Sequence, residues 1–404
     1  MSFNIKNNWF LSLSAISIAL GITLGTGSLY RYIYSYNLIM AVTLFIMVIV
    51  IFYQHFLPIS TNLNSDSTVI KQNISIPGVI LISFMLFTPL FSDILNEVTS
   101  LEIAFFYIAM FSLSFLLERQ FRKKILNAYL IIIVVLSIIS ILMIFLFIFT
   151  EYLSYLPHKM GLHFNANYYY IFSINPESVW IRNQSIFWEP GAFVFHLIFA
   201  TLLAYRNDNK LLIIILIIAC ITTFSTTAII FLLLLYIYHI FLGKNRLKMF
   251  MIISSIVIIS FIISILIVGN PLIPQLIFQA LVGKFIPNSN NFISFANRNH
   301  FAMEAFKMFT DNILFGAGHY ATAIKLQLTN SSGLAGLVAE LGLFGVFCIF
   351  LYTRYFFYKF GLIAIPITLI WLNGEFLQYS PLAIYILADS ADDFANILFP
   401  QRGI

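Results

Sequence analysis

The chain is a succession of long apolar runs broken by short polar stretches. Twelve of these runs are candidate membrane spans, near 9–26, 37–57, 76–92, 101–117, 125–150, 191–205, 211–224, 228–242, 249–268, 334–353, 360–372 and 380–399. Several fall short of the roughly 20 residues that a straightforward span needs. The least span-like are 211–224, 360–372 and 380–399. Only Ser225, Thr226 and Thr227 separate the seventh and eighth runs, which leaves either a tight hairpin or one long broken helix. Lys6 precedes the first run, which reads as an uncleaved helix.

Two polar stretches are long, 151–190 and 270–333. Loops beyond about 15 residues are usually functional or disordered. Both are rich in aromatic and amide residues, among them Trp180, Trp188, Asn165, Asn167, Asn288, Asn290 and Asn297. Flat rings and amides suit sugars, which present apolar ring faces edged by hydroxyls. For Tyr168, Tyr169 and Tyr170 an interfacial aromatic belt explains the pattern equally well. Inside the second stretch, Ala302 to Phe309 reads as a short amphipathic helix, and Gly316-Ala317-Gly318 as a turn that lets backbones come close.

Composition agrees with the pattern. Of 404 residues, 61% are hydrophobic and 9% charged, with mean hydropathy +0.95. A soluble domain carries roughly 25% charged residues. The expectation is an all-α polytopic membrane protein, one integral membrane domain over 1–404, with no nucleic-acid partner. The net charge of +5 follows from the positive-inside rule. Placing Arg119, Arg122, Lys123 and Lys124 in the cytoplasm, and alternating from there, puts fourteen of the 21 Lys and Arg inside. The N-terminus then lies inside and the two long loops outside, with the C-terminus expected inside as well. Cys220 and Cys348 both fall in apolar runs and imply no disulfide framework.

Candidate chemistry concentrates at Arg182-Asn183-Gln184-Ser185-Ile186-Phe187-Trp188-Glu189-Pro190-Gly191, where the first long loop re-enters the membrane. Pro190 pushes Glu189 out of the α region and suits the first turn of the helix that follows. Glu189 is thereby held at a helix N-terminus, whose dipole favours an anion. The segment is either a capped, anchored helix start or a catalytic or pyrophosphate-binding site. Glu340, inside the tenth run, is an intramembrane carboxylate and so a functional candidate, although near enough to the outer end to pair with a loop cation. Asp389, Asp392 and Asp393 read as part of a solvated tail. His158, His163, His300 and His319 are not spaced as a local metal site. No dedicated metal and no cofactor is expected.

These residues give the chain a resemblance to the O-antigen polymerases (Wzy type) of the O-antigen ligase/polymerase superfamily. Arg182 with Glu189-Pro190-Gly191 matches the first-loop pattern. Arg298, the Gly316-Ala317-Gly318 turn, Asn330-Ser331-Ser332, and Glu340 with Gly342 and Gly345 match the second. The likeness covers about 178–345, and the first 150 residues match only as a run of spans. Ligases of the superfamily tend to carry a histidine just before the re-entering helix; here Thr329-Asn330-Ser331-Ser332 stands there and His319 about ten residues earlier, which favours a polymerase.

The resemblance implies a GT-C-like membrane glycosyltransferase in the bacterial inner membrane. It implies that undecaprenyl-pyrophosphate-linked oligosaccharide is donor and acceptor, and that a chain-length regulator is a partner. Arg182 and Arg298 are expected to grip the departing pyrophosphate, since guanidinium is always charged and bidentate toward phosphate. Glu189 is the expected general base, with Glu177 and His300 behind it. Trp188, His300, His319, Asn330 and Glu340 are the expected substrate contacts. The alternatives are a ligase that transfers polymer to a surface acceptor and a lipid-linked oligosaccharide flippase.

Overall fold

A computed structural model describes residues 2–26, 28, 36–56, 99–149, 159–160, 167–168, 172–174, 182–242, 290–318, 322, 333–373, 377 and 380–398. The expected spans 76–92 and 249–268 lie outside these residues. The described chain is mostly helical: α1 (Ser2–Gly25), α2 (Tyr36–Phe56), α3 (Thr99–Leu116), α4 (Arg119–Phe149), α5 (Pro190–Arg206), α6 (Lys210–Thr222), α7 (Thr226–Leu242), α8 (Asn290–Asp311), α9 (Gly333–Leu341), α10 (Leu343–Phe360), α11 (Ala364–Asn373) and α12 (Pro381–Leu398). The first long loop adds a small antiparallel meander of β1 (Lys159–Met160), β2 (Asn167–Tyr168) and β3 (Ser173–Ile174).

Helices over Asn37–Gln54 and Arg119–Leu146 are long and apolar enough to cross a membrane. Shorter apolar helices run over Trp9–Gly25, Pro190–Arg206, Lys210–Thr222, Thr226–Tyr238, Leu343–Phe357 and Gly361–Asn373. The exposed surface tells the same story. On α4 the outward stripe is Ile131, Val135, Ile138, Leu142 and Phe145, while Ser137 and Ser140 are buried. Water would not tolerate such a stripe over a large area, but lipid would. The inward serines turn their hydroxyls onto helix carbonyls, Ser137 Oγ to Ile133 O at 2.7 Å and Ser140 Oγ to Ser137 O at 3.0 Å.

The centre of the bundle is α5, the helix that Glu189-Pro190-Gly191 begins; every residue from Ala192 to Tyr205 is buried. It packs on α4, α6, α7, α10 and α11. The fully buried Trp371 of α11 donates its indole N–H to Phe195 O at 2.9 Å and stacks on the Phe195 ring.

The seventh and eighth runs form a hairpin. Phe224, at φ 46°, turns the chain between α6 and α7. Tyr238, far along α7, then meets Phe360 at 5.0 Å between ring centroids, and Tyr205 at the far end of α5 meets the same ring at 5.6 Å. The run at 334–353 is two helices, broken at Gly342 with φ 60° and ψ −134°. Gly345 presses on the backbone of Leu337 and Val338 so closely that a Cβ would collide. Eight residues of continuous helix would hold those backbones about 12 Å apart, so α9 leaves the axis of α10 and lies across its end. The turn at Gly316-Ala317-Gly318 fits into this break: Ala317 N donates to Ala339 O (2.8 Å), Gly318 N to Glu340 O (3.1 Å) and Leu343 N to Ile313 O (2.8 Å).

The acidic cluster is not a solvated tail. Asp389, Asp392 and Asp393 stand on α12, and Asp389 and Asp392 both bind Arg122. Arg122, expected in a cytoplasmic loop, is 1% exposed and lies in the first turn of α4. Its Nε donates to Asp389 Oδ1 at 2.8 Å, its Nη2 to Asp392 Oδ2, and its Nη1 to the carbonyls of Phe115 (3.1 Å) and Leu117 (2.9 Å) at the end of α3. Tyr385 donates to Arg122 O, and Arg119 pairs with Asp393 at 2.7 Å. A charge deprived of water needs this many partners, and the carbonyls at a helix C-terminus are natural ones for a cation.

Candidate functional site

At the other end of the bundle, residues 182–189 form a buried, hydrogen-bonded turn. Asn183 N donates to Thr222 O at 3.1 Å, and Asn183 Nδ2 reaches Thr222 Oγ1 (2.8 Å) and Ser140 Oγ on α4 (3.1 Å). Ser185 takes φ 50°, and its carbonyl accepts from both Ser173 N (2.7 Å) and Ser173 Oγ (2.8 Å). Gln184 Nε2 donates to the same Ser173 hydroxyl at 2.9 Å. Phe187 bridges to Ser28 beyond the end of α1. The amides of this polar stretch are therefore spent on anchoring. They tie the loop to α1, α4, α6 and the third strand of the meander.

Two side chains of the turn are treated differently. Arg182 donates from Nε to Thr223 O (3.2 Å) and from Nη2 to Phe224 O (3.3 Å), carbonyls of the turn that joins α6 to α7. The guanidinium thus closes the α6–α7 hairpin. Glu189 sits at the N-cap of α5 with extended backbone, φ −154° and ψ 162°, and its carboxylate makes no capping hydrogen bond. Its backbone carbonyl accepts from Phe193 N instead. The half-buried carboxylate receives the indole N–H of Trp188 at 3.3 Å.

No protein-family model, curated protein or solved structure matches the chain. The functional reading therefore rests on this chain's own residues.

Behind the turn lies a further group, one that is not among the expected site residues. His196, fully buried on α5, stacks on Phe187 at 4.3 Å between centroids. Its Nε2 lies 2.7 Å from Thr26 O and its Nδ1 2.8 Å from Tyr129 Oη. A carbonyl only accepts, so Nε2 carries the proton and Nδ1 accepts from the tyrosine. The ring joins α1, α4 and α5 directly beneath the Trp188–Glu189 turn. Its signal was present: a histidine inside the apolar run Phe193-Val194-Phe195-His196-Leu197-Ile198 is an intramembrane ionisable residue. Arg122 gave no such signal, because its two carboxylates stand 267 and 270 residues away.

The remaining expected site residues fall as follows. Glu340 is 1% exposed, at the break between α9 and α10, where its carbonyl holds Gly318. His300 is exposed on α8. Arg298 stands on the same helix, one turn before Phe301. The side chain of Arg298, and the whole of Glu177, His319 and Asn330, lie outside the described residues. Among the described residues, no group of three or more His, Cys, Asp or Glu could hold a metal ion.

Proposed function

We propose that the chain is a membrane glycosyltransferase that joins lipid-pyrophosphate-linked oligosaccharide units into polymer, on the outer side of a bacterial inner membrane. The observation that carries this reading is the Glu189 carboxylate. It is half-buried, fixed by Pro190 and Trp188, and not consumed in capping the helix it precedes. A carboxylate held this way, seven residues from Arg182 on one rigid turn, suits acid–base work on a sugar hydroxyl.

In this scheme Glu189 takes the proton of the acceptor hydroxyl. The hydroxyl oxygen bonds to the anomeric carbon of the donor sugar. The bond from that carbon to the pyrophosphate oxygen breaks, and the lipid pyrophosphate leaves with the electron pair. Arg298 and Arg182 neutralise the leaving charge. Trp188 offers a ring face to a sugar, and His300, His319 and Asn330 supply further contacts; Glu340, expected among them, is buried at the α9–α10 break and is left out of the scheme. A chain-length regulator is the expected protein partner, and a GT-C-like arrangement of about twelve spans is the expected architecture.

A transporter would place unfilled polar groups near mid-depth, facing a cavity. His196 has that depth along α5, but both of its ring nitrogens are bonded within the protein. The Arg122 cluster is likewise closed on its own carboxylates. The deciding experiment is surface glycan and lipid-linked sugar from a deletion strain. Single-repeat surface products support the polymerase. Absent surface glycan with intact lipid-linked polymer means a ligase, and single units trapped on the cytoplasmic leaflet mean a flippase.

A further inference from the structure

Helix α8 presents three distinct faces. Phe301, Ala305 and Met308 are buried and pack with Ala335 and Ala339 of α9. His300, Glu304, Lys307 and Asp311 follow one another at the i, i+3, i+4 spacing of a helical row and form a polar stripe. Between these faces, on the side away from α9, Met303 is 74% exposed and Phe306 64% exposed, with Ala302 and Phe309 half-buried beside them. Past the exposed polar residues Thr310, Asp311 and Asn312, the chain leaving α8 exposes a second apolar group, Ile313, Leu314 and Phe315. Phe315 in turn meets Phe344 of α10 at 6.1 Å between ring centroids, and Leu343, Val346 and Phe350 extend the exposed apolar surface down α10.

Position completes the argument. α10 has 18 residues and rises about 27 Å, close to the thickness of a bilayer's hydrocarbon core. α9 lies across its end, turned off axis at Gly342, and α8 lies against α9. α8 is therefore outside the stack of crossing helices, at the level where lipid acyl chains give way to headgroups. A helix that exposes Met303 and Phe306, with Asn299 and Thr310 on the same row, beside one charged stripe suits the interface at that level.

We propose that α8 is an interfacial helix. Its face of Met303, Phe306 and Phe309, with Ile313, Leu314 and Phe315, is immersed in the acyl chains of the membrane phospholipids, and its stripe of His300, Glu304, Lys307 and Asp311 faces water. The occupant is lipid because the face is continuous with the exposed apolar side of α10. The placement does not depend on the reaction catalysed. Under the polymerase reading it holds Arg298 and His300 at the depth where a lipid-bound pyrophosphate lies.

The test is fluorescence depth measurement on full-length protein in vesicles of phosphatidylethanolamine and phosphatidylglycerol. Cys220 and Cys348 are replaced by alanine, and single cysteines at 303, 306, 307 and 311 carry an environment-sensitive probe. Probes at 303 and 306 should be quenched several-fold more by nitroxide-labelled lipid than by aqueous iodide, with the order reversed at 307 and 311. Iodide quenching at 306 equal to that at 307 would show the face in water and overturn the proposal. Quenching at 306 by neither agent would show protein there instead, a second copy or the chain's own 319–332 segment, and would overturn it as well. Activity is not read, so failure here is separable from failure of the polymerase reading, which Glu189→Gln tests.

Discussion

At the scale of single residues, the turn between Arg182 and Glu189 divides its labour. Asn183, Gln184 and Ser185 hold the loop down, and Arg182 holds the α6–α7 hairpin, while the Glu189 carboxylate stays half-buried beside its indole partner. This division separates two arginine substitutions. Arg182→Lys loses the planar fork that spans both carbonyls from two separate nitrogens, so it should lower thermal stability in detergent as well as activity. Arg298→Lys should lower polymerisation on the order of 10²–10³-fold; paired melting and glycan measurements on the two strains check this. His196 makes a second expectation. Tyr129→Phe leaves Nδ1 of His196 buried without its donor, which costs about 1–3 kcal/mol. His196→Leu strands both Tyr129 and Thr26 O, whereas His196→Gln can still place an N–H on Thr26 O. Thermal unfolding should therefore rank the variants wild type, then His196→Gln, then His196→Leu.

At the scale of elements, the most buried of the polar ties that hold α12 to the bundle is Arg122. Arg122 joins the end of α3, the start of α4 and two carboxylates of α12, and it is nearly inaccessible to water. Removing one partner of a buried ionic cluster costs about 3–5 kcal/mol, while replacing the whole cluster by apolar or neutral groups is often nearly neutral. Arg122→Leu should therefore sharply reduce folded protein, and Arg122→Leu combined with Asp389→Asn and Asp392→Asn should recover most of it. Size-exclusion profiles of the solubilised variants measure the difference. Equal losses in the single and triple variants would mean that packing, and not charge compensation, fixes α12.

At the scale of the whole molecule, the bundle has two chemically different ends. Arg119, Arg122 and Arg354 meet α12 at one end, beside Arg206 over the ring of Tyr355. Arg182, Asn183 and Glu189 lie at the other. The charge alternation expects the first end in the cytoplasm. In spheroplasts, single cysteines at 165 and 290 should react with an impermeant thiol reagent and one at 123 should not; the reverse pattern would invert the topology.

Much of this was legible in the chain, because local chemistry set it. Proline fixed the backbone at Glu189, and the apolar runs marked α4, α5 and α7. The α9–α10 break was not legible, since Gly342 looks like any glycine in a helix until the Gly316 turn closes on it from 26 positions upstream. The roles of Asp389 and Asp392 were hidden for the same reason, their partner being distant in sequence. Within the candidate site, Glu189 was readable from Pro190 alone, but the binding of Arg182 to the carbonyls of Thr223 and Phe224 depends on where a hairpin turns.

The central claim is that Glu189 is the base of a glycosyl transfer. The most direct measurement uses purified protein in vesicles supplied with undecaprenyl-pyrophosphate-linked repeat units, followed by gel analysis of chain length. The wild-type protein should build a ladder of repeats, and Glu189→Gln, folded and present in equal amount, should leave single units. A full ladder from Glu189→Gln would contradict the account.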